Sequence, residues 1–191
     1  MAVITIARQY GAGGEAVGQL VARRLKAELL DKEIIAEVAR RLQLSPEEVE
    51  AQDESPGSFL GRLLTTLGSA SLDYSIPPEV AAWTPPYADP AFDPRRAILN
   101  ITQEVIREAA RTGNAVIVGR GGAFVLQGYP GVLHVFLIGS REARIQALAE
   151  NFGMSEEEAV HRMKQTDANR SAYIRQIYNH DWSHPAHYDM T

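Results

Sequence analysis

The sequence predicts an α/β protein, a three-layer open parallel sheet with helices on both faces. Three observations point there. The short, mainly apolar runs Val3–Ile6, Ala115–Val118 and Val132–Ile138 have the length and composition of buried strands of a parallel sheet. Each is followed by sequence of helical periodicity, so strand and helix alternate as in a doubly wound sheet. Glycine-rich turns, Gly11–Gly14 and Gly119–Gly122, follow the first two runs, where such a sheet binds its ligands beyond the carboxyl ends of the strands. At 191 residues, 45% of them apolar and 23% charged, the chain is long enough for one sizeable core with a small subdomain attached.

The elements follow in order. After the first strand and its turn, Val17, Leu20, Val21 and Leu25 recur at helical spacing, with Arg23, Arg24 and Lys26 outward. Ala27–Leu30 is a short strand ending at Asp31, and Ile34, Ile35, Val38 and Leu42 form the apolar face of a second helix. Ser45-Pro46-Glu47-Glu48 marks a helix start: Ser45 caps, Pro46 suits the first turn, and Glu48 completes a capping box. Residues 73–94 hold six of the ten prolines together with Tyr74, Trp83, Tyr87 and Phe92, which makes an irregular aromatic loop of the kind used as a lid, a binding loop or a subunit contact. Ile98, Ile101, Val105, Ile106 and Ala109 restore a helix that Gly113 ends. Ser140 caps a helix containing Ala143, Leu148 and Phe152, and Ser155 with Glu158 opens a long helix through Val160, Met163, Tyr173, Ile174 and Ile177. A final strand is expected to begin near Thr191, leaving a closing strand and helix shortened or missing.

Composition removes several function classes. With 19 basic and 24 acidic residues the formal charge is −5, so nothing global favours nucleic acid or an anionic membrane as a partner. No apolar run has membrane-spanning length, and no basic-then-apolar leader precedes the first strand. The absence of cysteine excludes thiolate catalysis and cysteine-ligated metals, and fits a cytoplasmic protein. His180, His184 and His187, near Asp181 and Asp189, read as a polar surface cluster rather than a zinc site, and Trp83 and Trp182 as packing or loop anchors. No G-x-S-x-G elbow supports a hydrolase triad.

The chemistry gathers at the glycine turns. A strand, a tight turn and a helix N-terminus aim backbone N–H groups and the positive end of the helix dipole at one point, which suits a phosphate. The usual G-x-x-x-x-G-K-[ST] pattern would follow its glycine with lysine and Ser/Thr, whereas Gly14, Glu15 and Ala16 follow Gly13 here. Phosphate chemistry at this turn needs another cation, and Arg8 is the candidate. In Gly119-Arg120-Gly121-Gly122 the glycines admit a ligand close to the backbone, and Arg120 offers a fork of donors matched to phosphate. The last long helix carries Arg162, Lys164, Asp167, Arg170 and Arg175. Asp167 and Arg170, three apart, form either a surface ion pair worth roughly 0.2–0.5 kcal/mol or part of an arginine set, with Arg162, that closes over phosphates.

Four stretches together resemble the cytidylate-kinase-like family, relatives of bacterial cytidylate kinases among the P-loop nucleoside monophosphate kinases. They are Ile4–Gly14, Leu30-Asp31-Lys32-Glu33-Ile34-Ile35, Val116–Gly122 with Val135-Phe136-Leu137, and Asp167-Ala168-Asn169-Arg170 with Tyr188-Asp189. The resemblance implies a single P-loop kinase-like domain over 1–191. Its core would be about 1–35 and 114–191, with a helical, proline-rich acceptor-region insertion about 36–113 and a lid about 141–178. It also implies transfer of the γ-phosphoryl group of ATP, with Mg²⁺, to a pyrimidine nucleoside monophosphate such as CMP. Small-molecule nucleotides would then be the partners, and a homodimer is compatible. By similarity Arg8, Arg120, Asp167 and Arg170 carry the catalysis. Gly11, Ala12, Gly13, Gly14, Glu15, Arg144 and Arg162 hold ATP phosphates, while Asp31, Arg120 and Arg170 hold the acceptor. The metal ligands stay open, with Glu15 and Asp31 as carboxylates to consider. Gly14 stands where ordinary cytidylate kinases have the phosphate-loop lysine, and Ala16 where a metal-binding Thr or Ser is expected. An Arg-Gln-Tyr-Gly-type turn is characteristic of the cytidylate-kinase-like branch.

Two other classes fit parts of the pattern. Gly11-Ala12-Gly13-Gly14-Glu15-Ala16 after a strand, with Asp31 at the end of a second one, also matches a dinucleotide-binding oxidoreductase fingerprint. The missing lysine fits a nucleotide-binding regulatory protein with impaired catalysis, since a fold does not dictate an activity.

Overall fold

In a computed structural model, residues 2–42 and 93–191 are described; the helix start at Ser45 and all but the last two residues of the 73–94 segment lie outside them. Four strands, β1 (Val3–Arg8), β2 (Glu28–Leu30), β3 (Ala115–Val118) and β4 (Val132–Leu137), form one parallel sheet in the order β2-β3-β1-β4. Val3 stands opposite both Ala115 and Val132, and Glu28 opposite Ala115. The strands therefore start flush and all deliver their carboxyl ends to one edge. The helices are α1 (Gly14–Leu25), α2 (Lys32–Leu42), α3 (Pro94–Thr112), α4 (Gly122–Val125), α5 (Arg141–Phe152) and α6 (Glu156–Tyr178), with a 3₁₀ turn at Pro185–His187.

The layers follow from the two-residue period of β3, all four of whose side chains are buried. Val116 and Val118 pack with Ile6, Ala22, Val17 and Val21 under α1. Ala115 and Ile117 face the other way, into Ile34, Ile35 and Val38 of α2, Ile98, Val105, Ile106 and Ala109 of α3, and Val125 of α4. A sheet apolar on both faces needs helices on both, and this is the expected three-layer architecture. Gly18 lets α1 lie close, since a Cβ there would stand 2.7 Å from Val118 Cγ2.

The caps explain the helix ends. Ser140 Oγ accepts the Ala143 N–H at 3.2 Å, and both halves of the Ser155–Glu158 capping box are formed. Helix α3 begins at Pro94, ahead of the apolar period, because the Asp93 carboxylate accepts the Arg96 N–H and its carbonyl accepts the Ala97 N–H. Gly113, at φ +74°, ends α3 as its position predicts. Met190 pairs with Val135 in an isolated parallel bridge. Among the described residues no helix is long and apolar enough to cross a membrane.

One buried polar contact makes stability depend on pH. The half-buried His134 ring on β4 lies 2.7 Å from Thr5 Oγ1 through Nδ1 and is also bonded to the Leu126 carbonyl. A neutral ring meets both demands, donating from Nε2 to Leu126 and accepting at Nδ1 from the Thr5 hydroxyl. Burial holds its pKa below 6.5, outweighing the pull of the Asp189 carboxylate. The unfolded chain therefore takes up the proton first, so stability is full above about pH 6.5 and declines as pH falls from there toward the folded pKa. The urea midpoint is expected to drop between about pH 7.5 and pH 5.5, and His134→Gln to flatten part of that slope. An unchanged slope in the variant would assign the decline to other groups.

Candidate functional site

Two glycine turns meet at the carboxyl edge of the sheet. In the first, Gly11 and Gly13 take φ +80° and +75°, a left-handed conformation that disfavours side chains. Gly13 is the N-cap of α1 and no side chain caps it, while a Cβ there would meet nothing within 4 Å. The first N–H groups of α1 thus open outward from a bare backbone turn, a geometry that accepts a phosphate. In the second turn Gly119, Arg120 and Gly121 are successively left-handed, at φ +77°, +53° and +70°. For Arg120 that backbone is unfavourable by about 1–3 kcal/mol, a strain that surrounding structure retains at sites where a side chain has to be aimed.

A cavity of about 150 Å³ lies between the second turn and α6. Arg8 from the end of β1, Arg120 from the second turn and Arg170 from α6 all line it, with Thr166 and Asn169 beside them. Phe124, Tyr173 and Trp182 form an aromatic wall. Phe124 stacks on Tyr178 at 5.6 Å between ring centroids, and Trp182 meets Phe136 edge-on at 5.3 Å, so the wall is a continuation of the core. Burial pushes the Tyr173 phenol well above its ordinary pKa of 10, with Tyr178 adding to the shift and Arg120 opposing it. Tyr173 accordingly presents a protonated hydroxyl, a donor and not a base.

A set of polar contacts fixes the first turn from below. Asp167 Oδ1 accepts the Tyr10 N–H at 2.8 Å, and Arg144 Nε donates to the Tyr10 carbonyl at 2.7 Å. Arg144 Nη2 donates to the other Asp167 oxygen. Arg170 Nη1 donates to the Arg8 carbonyl at 3.0 Å, stands 3.9 Å from Asp167 Oδ1, and the guanidinium lies 5.9 Å from the centre of the Tyr10 ring. The Tyr10 side chain completes a small core with Leu148, Ala159 and Met163 of α5 and α6. Gln9 ties the turn to β4 by accepting the Gly139 N–H at 3.2 Å and donating its own N–H to the Leu137 carbonyl at 2.9 Å.

This geometry sorts the expected site residues. Arg8, Arg120 and Arg170 come together at the cavity, and Gly11–Gly14 form the adjacent turn. Arg144, expected among the ATP-phosphate ligands, is 8% exposed and donates to the Tyr10 carbonyl and to Asp167. Asp167, expected as a catalytic carboxylate, is spent on Tyr10 and Arg144 and does not line the cavity. Its main partner is Arg144, so the expected surface pair with Arg170 is a secondary contact within a partly buried cluster. Arg162 is exposed on α6 and also lies outside the cavity lining. Glu15 is exposed in the first turn of α1, and Asp31 follows β2 at the carboxyl edge. Among the described residues no cluster of three or more His, Asp or Glu could cage a metal.

Sequence reasoning missed Thr166, Asn169, Tyr173, Phe124 and Trp182. A signal for three of them was present: 166, 169, 170 and 173 share one face of a helix at i, i+3, i+4 and i+7.

The molecule resembles a crystal structure of an uncharacterized protein from Eubacterium ventriosum, with a TM-score of 0.65 and 21% identity over 100% of this chain and 86% of that one. A shikimate kinase from Bacteroides thetaiotaomicron is more distant, with a TM-score of 0.48 and 15% identity over 99% of this chain and 84% of that one. The likeness of fold rests on the first. No curated protein matches the sequence. Residues 3–191 match the family described as cytidylate kinase-like.

Proposed function

The chain belongs to the cytidylate kinase-like family, and from that premise we propose that it is a nucleotide-binding phosphotransferase acting on a nucleoside monophosphate, a pyrimidine one such as CMP, with ATP and Mg²⁺. The observation that carries this reading is the convergence of Arg8, Arg120 and Arg170 on one cavity beside the uncapped turn Gly11–Gly14. Phosphoryl transfer asks chiefly for positioning and for neutralisation of charge on the transferred group. Backbone N–H groups at the start of α1 bind the donor phosphates. Arg120 holds the acceptor phosphate, and the aromatic wall takes the apolar face of the acceptor. An acceptor phosphate oxygen then bonds to the γ-phosphorus as the bond to the β-phosphate oxygen breaks, with Arg8 and Arg170 facing the group in transit. Mg²⁺ bound to the donor phosphates supplies further charge neutralisation, and Glu15 and Asp31 are the carboxylates placed at that edge to hold its waters.

The test is ADP formation from Mg-ATP with each common ribo- and deoxyribonucleoside monophosphate. ADP release that requires one pyrimidine monophosphate is expected. Folded protein that releases no acceptor-dependent ADP would overturn the reading. In that event Gly14 and Ala16, standing where a lysine and a hydroxyl are usual, favour the second reading of a catalytically silent nucleotide binder, recognised by Mg-ATP affinity without product.

A further inference from the structure

The glycine at position 14 is not required by its backbone. It is the first residue of α1 and is not among the residues with positive φ, so an ordinary side chain is conformationally admissible there. Arg8 forbids it. A Cβ on Gly14 would stand 2.5, 3.0 and 3.1 Å from Cγ, Cβ and Cδ of Arg8, three successive atoms of its stem. A Cβ on Gly119, in the second turn, would stand 2.1 Å from Arg8 Nη1 and 2.9 Å from its Cζ. One side chain rooted at the end of β1 therefore crosses the start of α1 and sets its guanidinium on the β3 turn, with a glycine under each end.

From this path we propose that Arg8 and residue 14 are alternative roots for a single phosphate-binding cation, and that Gly14 and Gly119 are the track that Arg8 occupies. The proposal deepens the phosphotransferase reading and rests on it. The lysine expected at position 14 is then not lost but displaced, because its Cβ and the Arg8 stem would fill the same space. The replacement is also different in kind. Its head lies at the second turn, on the acceptor side, and its planar fork can grip two oxygens of the transferred group where an ammonium acts as a point charge. Arg170 holds the root by donating to the Arg8 carbonyl at 3.0 Å.

The experiment is a cycle of four proteins: wild type, Arg8→Gly, Gly14→Lys, and the double variant. Each is read by its thermal midpoint without nucleotide, by Mg-ATP affinity in calorimetry, and by ADP formation. Arg8→Gly is expected to weaken Mg-ATP binding at least about tenfold and turnover about 100-fold. Gly14→Lys alone is expected to lower the thermal midpoint and to weaken Mg-ATP binding as well, since its stem collides with Arg8. The double variant should regain the midpoint of Arg8→Gly and bind Mg-ATP better than either single variant. Gly14→Ala, which places only a Cβ in the track, provides a milder version that shows the same midpoint loss if Gly14→Lys does not fold. A wild-type midpoint and affinity in Gly14→Lys or Gly14→Ala, or a double variant with no recovery, would overturn the proposal. Mg-ATP binding by Arg8→Gly equal to that of wild type would overturn it while leaving the phosphotransferase reading intact. A wild type that binds no Mg-ATP would instead remove that reading, and this proposal with it.

Discussion

Asp167→Ala is expected to remove about 3 kcal/mol of folding stability, the lower end of the cost of stripping one partner from a buried ion pair. The lower end applies because Arg144 is well enclosed, at 9% side-chain exposure, whereas Asp167 is 21% exposed. The variant leaves the Arg144 guanidinium without its carboxylate and the Tyr10 N–H without its acceptor. Converting both Asp167 and Arg144 to apolar residues should not restore wild-type stability. An apolar pair can stand in for an ion pair, but here the N–H and carbonyl of Tyr10 would both lose partners, at roughly 1–3 kcal/mol for each buried group. Urea unfolding of the two variants decides the matter, and a loss below about 1 kcal/mol in Asp167→Ala would show that water replaces the carboxylate adequately.

Arg170→Ala is expected to lower turnover by about 1,000-fold, within the range seen when an arginine that stabilises phosphoryl transfer is removed. Two effects combine: the cavity loses a guanidinium, and the Arg8 carbonyl loses its donor. Stability should fall much less, by about 1 kcal/mol, because the hydrogen bond to the Arg8 carbonyl, the 3.9 Å ion contact and the contact with the Tyr10 ring are each modest. Arg170→Lys should recover little turnover, since an ammonium cannot reproduce the fork. Turnover within tenfold of wild type in a folded Arg170→Ala protein would make Arg170 a support of the turn, like Arg144, and remove it from the chemistry.

The fold was legible because its signals are local. The apolar runs give β1, β3 and β4 to within two residues, and the Ser155–Glu158 box gives the start of α6. Parallel order and a common carboxyl edge follow from strand–helix alternation, which is why Arg8, Arg120 and Arg170 could be expected together before any coordinates. Arg144 could not be placed this way. An arginine in the first turns of a helix after a strand looks like any exposed phosphate ligand, and its contacts with Tyr10, 134 residues away, and with Asp167 are not written locally. Gly14 was opaque for a related reason. As sequence it is a missing lysine, whereas in space it is room made for a side chain six positions earlier. Phe124 and Trp182 carry no local mark separating a cavity wall from ordinary core.

The contacts beneath the first turn also set an order of assembly. Tyr10 is held by Asp167 and Arg8 by Arg170, contacts that span 157 and 162 residues. The turn precedes in the chain the groups that shape it. At about 5–20 residues per second, translation leaves it waiting roughly 10–30 s for its partners. Helix α1 can form early, but β1 takes its sheet partners from β3 and β4, and the turn reaches its final geometry when α6 docks.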